Sequence, residues 1–206
     1  MDNKAYLDQI AVKGKVKSGP IFTPVLIKLI AAGVVMFIAM IIVGSVISSN
    51  NAKVAQSHEH VYMRITNLGN DSSSSNPLKA YSEKLRDSDL RGTAKSLMTI
   101  LAATKNDLSG MASAIGVDPS AISPEVSKIE STSLSSYSAA LEDAVLAGTL
   151  DRTFASETYM QLATLISYET ESMKRSNNQA YVNLLSQSIA DLTKLQEQFM
   201  VWSDSH

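Results

Sequence analysis

The residues best suited to chemistry are few, and the densest group is His58-Glu59-His60, with His206 as the third histidine. A metal held on a helix needs histidines on one face, at i and i+4, whereas i and i+2 point about 200° apart. No Glu-x-x-His pair occurs, so the di-iron pattern of helical bundles is missing. The trio therefore reads as part of a solvated stalk, and no metal or cofactor site is assigned. Serine chemistry has no better footing. There is no Gly-x-Ser-x-Gly, no lysine follows a serine by three positions, and the nine glycines are scattered. The absence of cysteine removes thiolate nucleophiles, thiolate metal sites, disulfides and a lipidated cysteine. Acids such as Glu142-Asp143 and Glu169 with Glu171 read as helix-surface charge. No catalytic residue is assigned, and the chain is expected not to be an enzyme.

Two weaker signals remain. Tyr137, Tyr159, Tyr168 and Tyr181 fall on three helices expected to be neighbours, where they could line a pocket. The more common arrangement buries the ring and leaves the hydroxyl at the rim. Asn70-Asp71-Ser72 matches a glycosylation sequon, relevant only in a eukaryotic host.

The elements that would carry these residues are helical throughout, with no period-2 strand pattern and no Asn-Gly or Asp-Gly hairpin signal. Val54, His58, Val61, Ile65 and Leu68 recur at spacings of four and three, giving a stalk helix over 48–69. A Ser-rich loop over 70–77 interrupts it. A bundle domain over 78–206 follows, with a short segment at Leu78, Tyr81 and Leu85. A long helix then starts at Asp87 or Ser88 and closes at Gly116. Ser123-Pro124-Glu125 is a strong start signal, the serine oxygen taking an orphan N–H and the acid following in the first turn. Gly148 ends that helix, Asp151 is expected to cap the next, and Asn177-Asn178 breaks it. Four helices of roughly 24–28 residues with short connections predict an all-α fold, an up-and-down four-helix bundle with the stalk at one end. The serines between Ser127 and Ser138 read as its outer face.

The N-terminal part has another character. Residues 1–23 form a basic tail with Lys13, Lys15 and Lys17, and 24–47 form a single transmembrane helix. From Leu29 to Ile47 nineteen residues carry no charge, and Ser45 is their only polar side chain. That run reaches roughly 28 Å, close to a hydrocarbon core of about 30 Å. Pro24 suits a first helical turn, Lys28 can snorkel to the headgroups, and Gly33, Phe37 and Met40 lie within the span. Residues 1–28 carry a net +3 and residues 49–206 a net −5. The positive-inside rule places the tail in the cytoplasm and the bundle outside. An acidic outer domain argues against nucleic acid as a partner. Val46-Ile47-Ser48 offers an alternative, cleavage near Ser48. Ala32, Gly33 and Ala39 would permit close helix approach and a homo-oligomer.

A resemblance is carried by the basic tail, the anchor, the Ser-rich loop and Asp89-Leu90-Arg91, which opens a helix containing Thr104-Lys105-Asn106-Asp107-Leu108. In these the chain resembles uncharacterised single-pass proteins of the Patescibacteria (Saccharibacteria). That likeness covers residues 55–120 loosely, implies a bacterial cell membrane and implies no activity. Prepilins share a basic leader before an apolar helix, here Lys17-Ser18-Gly19, although Pro20 and Pro24 depart from their pattern. The reading is a membrane-anchored, non-enzymatic interaction or structural protein facing the bilayer and an unknown protein partner. The alternatives are a ligand-binding sensory bundle acting through a partner, or a pilin-like subunit.

Overall fold

Four helices of this domain start where a short polar side chain, Asn76, Asp87, Ser123 or Asn178, satisfies one of the first free backbone N–H groups. The computed structural model describes residues 53–70 and 76–205. Within them run α1 (53–68), α2 (Pro77–Ser82), α3 (Ser88–Met111), α4 (Pro124–Ala147), α5 (Leu150–Arg175) and α6 (Gln179–Ser205). A single 3-10 turn, Ser113–Ile115, follows α3. The carboxylate of Asp87 accepts from Leu90 N at 2.7 Å, and Ser123 Oγ accepts from Val126 N at 3.3 Å. Asn76 caps α2 through Leu78 N and donates its amide to Leu68 O at 2.8 Å, so one side chain joins the end of α1 to the start of α2. Gly116 (φ 73°) and Gly148 (φ 72°) close their segments in the left-handed conformation that favours glycine.

One expected cap is placed differently. Thr149, not Asp151, holds the N-cap position of α5, and it makes no side-chain cap bond. Asp151 turns away from its own helix. Its carboxylate accepts from Asp87 N at 2.8 Å and Arg86 N at 3.1 Å, pinning the α2–α3 connection to the start of α5.

The all-helical expectation holds, and no strand occurs among the described residues. Helix α4 runs antiparallel to α5, with Ser133 opposite Gln161 and Tyr137 opposite Thr158. Helix α5 runs antiparallel to α6, pairing Ser172 with Tyr181, Glu169 with Ser188 and Phe154 with Phe199. Helix α3 packs on α6 but not closely on α4. The space between them is taken by α1. The solvated stalk is therefore a correction: Val61 and Ile65 are fully buried, with Leu68 and His58 nearly so. The stripe His58, Val61, Ile65, Leu68 faces the core, with Val54 half-buried at its start, and the bundle has a fifth helix in place of a stalk. Gly69 shows how tight this insertion is, since a Cβ there would lie 2.9 Å from Leu101 O on α3 and 2.8 Å from Ile65 O.

Among the described residues no helix is long and apolar enough to cross a membrane. The transmembrane assignment (Pro24, Lys28, Leu29, Gly33, Phe37, Met40, Ile47) and the basic tail (Lys13, Lys15, Lys17) lie outside the described residues, as do residues 71–75 of the Ser-rich loop and His206.

Candidate functional site

Seating α1 in the bundle carries its polar residues into the interior, where they must find partners. Arg64 and Glu130 are 4% and 2% exposed. Arg64 Nε donates to Glu130 Oε2 at 2.8 Å, one terminal nitrogen to Gln161 Oε1 at 2.7 Å and the other to Ser133 Oγ at 3.1 Å. The guanidinium also lies 5.3 Å from the centre of the Tyr168 ring. Glu130 Oε1 pairs with His60 Nδ1 at 2.9 Å, and the His60 and Tyr168 rings lie 4.8 Å apart. One carboxylate on α4 thus holds two α1 side chains spaced one helical turn apart, while α5 supplies Gln161 and Tyr168. Burial and the Glu130 charge raise the Tyr168 hydroxyl pKa, with Arg64 acting in the opposite direction.

A second polar group lies nearby on α1, α5 and α6. His58 Nδ1 meets Ile115 O at 2.8 Å, and its ring stands edge-on to Tyr181 at 4.9 Å. Burial lowers the His58 pKa, and the carbonyls of Ile115 and Ser172 oppose that fall. Tyr181 and Ser172 hydroxyls pair at 2.7 Å. Glu169 is 0% exposed and accepts from Ser188 Oγ at 2.7 Å, while its Oε2 has no partner among the described residues. Desolvation lifts its carboxyl to about 8, so it is held largely protonated at neutral pH.

These positions revise several expectations. His58 and His60 do diverge, His58 into the buried interior and the half-buried His60 onto Glu130. Glu169 is an interior acid, unlike Glu171, which pairs with Arg175 on the surface at 3.1 Å. Ser133 belongs to the Arg64 cluster and not merely to an outer face. The tyrosine hydroxyls do not all reach a rim, since Tyr137 donates to or accepts from Thr158 at 2.8 Å in the core. Burial pushes the Tyr137 and Tyr181 hydroxyls well above their ordinary pKa. Sequence reasoning missed Arg64, Glu130 and Gln161. Their one local signal was polarity at positions facing an apolar stripe.

Chemically, the arrangement anchors more than it activates. His60 has the carboxylate partner that a general base needs, and Ser57 lies one turn earlier on the same helix. No hydrogen bond joins those two residues, and the Glu130 charge is shared with Arg64. A cleft of about 430 Å³ opens over His60 and Tyr168, bounded by Gln56, Ile129 and Arg175. No group of three or more His, Asp or Glu able to hold a metal is gathered among the described residues. No protein-family model, characterised protein or solved structure matches the chain.

Proposed function

We propose that this chain is a membrane-anchored, non-enzymatic protein whose helical domain serves as an interaction or structural module outside the cytoplasmic membrane. The observation that supports it best is the burial of α1. The apolar run Leu29 to Ile47 ends only a few residues before this helix, and α1 is clamped into the core by Arg64 and Glu130. A tether would need only a solvated spacer at that point. An inserted helix makes the segment that follows the apolar run part of the folded domain and not a spacer. The net −5 of residues 49–206 against the net +3 of residues 1–28 supports the orientation.

The cysteine-free sequence makes the test direct. Single cysteines replace Ala11 in the tail and the exposed Ser109 on α3. A membrane-impermeant maleimide applied to cells with an intact cytoplasmic membrane should label Ser109→Cys and leave Ala11→Cys unlabelled until lysis. Both chains should stay with the membrane through an alkaline wash. Release by the wash, or labelling of Ala11→Cys alone, would overturn the reading. A ligand-binding sensory role has one observation in its favour, the cleft over His60, because a molecule bound there would touch α1 directly. It predicts that some small molecule raises the melting temperature of the full chain but not of a Tyr168→Ala variant.

A further inference from the structure

Arg64 pairs with Glu130, Arg175 with Glu171 and Lys194 with Asp191. At one end of the bundle, cations without such a partner gather around one space. A cleft of about 350 Å³ lies between the α2–α3 connection, the α4–α5 turn and the end of α6. Lys84, Arg86 and Arg152 line it, and none of the three forms an ion pair among the described residues. Lys84 only rests its ammonium 4.5 Å from the centre of the Tyr81 ring.

The single carboxylate in the lining is Asp151, and it already accepts from the backbone N–H groups of Arg86 and Asp87. That contact holds the loop bearing Lys84 and Arg86 against the turn bearing Arg152, so three cationic residues border one cleft. Three cations against one carboxylate leave the lining with an excess of positive charge, in a domain that is acidic overall. Val145 and Trp202 supply an apolar wall. The volume falls within the roughly 300–1,000 Å³ range of small-molecule sites.

We propose that this cleft binds a small organic anion bearing two or more carboxylate or phosphate groups. Arg86 and Arg152 offer planar forks that suit either group, and Lys84 offers a point charge. The short apolar body of the ligand would lie against Trp202 and Val145. This site is separate from the Arg64–Glu130 clamp and does not depend on the reading of the protein as an interaction module.

Trp202 is the only tryptophan, so its emission reports on this cleft. The full chain in neutral detergent is titrated with tricarballylate and with pyrophosphate, and with acetate at matched ionic strength. The expected result is a saturable change with at least one multivalent anion and none with acetate. Whichever probe binds more tightly identifies the ligand as carboxylate or phosphate. Arg86→Glu and Arg152→Glu, both at exposed positions, should each weaken binding at least tenfold with the melting temperature preserved. Lys128→Glu, exposed on α4 and outside the cleft, should leave it unchanged. The proposal is overturned by the absence of a saturable change, by undiminished binding in both arginine variants, or by an equal loss in Lys128→Glu, which would mark diffuse charge attraction only.

Discussion

At the end where α3 begins and α6 finishes, the interior is hydrocarbon: Leu90, Ala94, Leu97, Leu141, Phe154 and Phe199 are all buried to within about 1% exposure. At the end where α1 enters, the same five-helix packing encloses an arginine, a histidine, two glutamates and a tyrosine–serine hydroxyl pair, with His60 half-buried beside them. The apolar end gains free energy in proportion to the area removed from water, with little demand on direction. The polar end gives up hydration and recovers it only when each partner is in register. The first kind of interior holds helices together, whereas the second fixes which residue of α1 sits opposite which residue of α4 and α5.

Removal of one buried charge has the largest expected effect. Glu130→Ala should lose about 3–5 kcal/mol, because Arg64 would be left buried without its anion. Replacing both partners, Arg64→Met with Glu130→Leu, should recover most of that loss. Phe154→Ala at the apolar end should also lose about 3–5 kcal/mol, with no apolar second substitution of this kind to restore it. Urea unfolding followed by circular dichroism measures all three. A double variant as unstable as the single one would show that the polar end is held by something other than this pair.

The next largest effect distinguishes the ends by pH. The folded-state pKa of Glu169, about 8, lies above its ordinary 4.5. The folded chain keeps a proton that the unfolded chain releases. The stability carried by that proton is therefore complete below pH 4.5 and is lost as pH rises through 8. Glu169→Gln should stabilise the protein at pH 9 by on the order of a few kcal/mol and change little at pH 4. His58 acts in the opposite sense: its lowered pKa means stability is lost as pH falls below 6.5. Phe154 variants should show no such slope. A flat profile for wild type between pH 5 and pH 9 would contradict the buried state of Glu169.

Smaller effects sharpen the picture. Gly69→Ala places a methyl against Leu101 O and should lose about 1–3 kcal/mol, although the residue is one step past the end of α1. A neutral outcome would mean that α1 and α3 can separate without cost. Tyr137→Phe removes the bond to the buried Thr158 and should lose about 1 kcal/mol, read from the shift in the urea midpoint.

Much of the fold was legible in the residues. The caps at Asp87 and Ser123 and the glycine stops at Gly116 and Gly148 act over three or four positions, so local sequence contains the whole interaction. The misplaced cap shows the limit. Asp151 has the right type to cap α5, but it lies inside the first turn, and its partners are Arg86 and Asp87, 65 and 64 residues away. The stalk shows it again. The spacing of Val54, His58, Val61, Ile65 and Leu68 announced one buried face, yet nothing local said whether a neighbouring helix would cover it.

The sequence alone established an all-helical domain, the starts at Asp87 and Ser123, the stop at Gly148, a charge-free run of nineteen residues from Leu29 to Ile47, and a charge asymmetry across it. These follow from periodicity, capping and composition, which depend on near neighbours along the chain. Only the tertiary structure decided that α1 is the fifth helix, that Glu130 meets Arg64 across 66 positions, that Glu169 is interior while Glu171 is not, and that Lys84, Arg86 and Arg152 share one cleft. Such pairings depend on how helices close around one another, and a side chain's hydration, charge state and partner are all set by that closure.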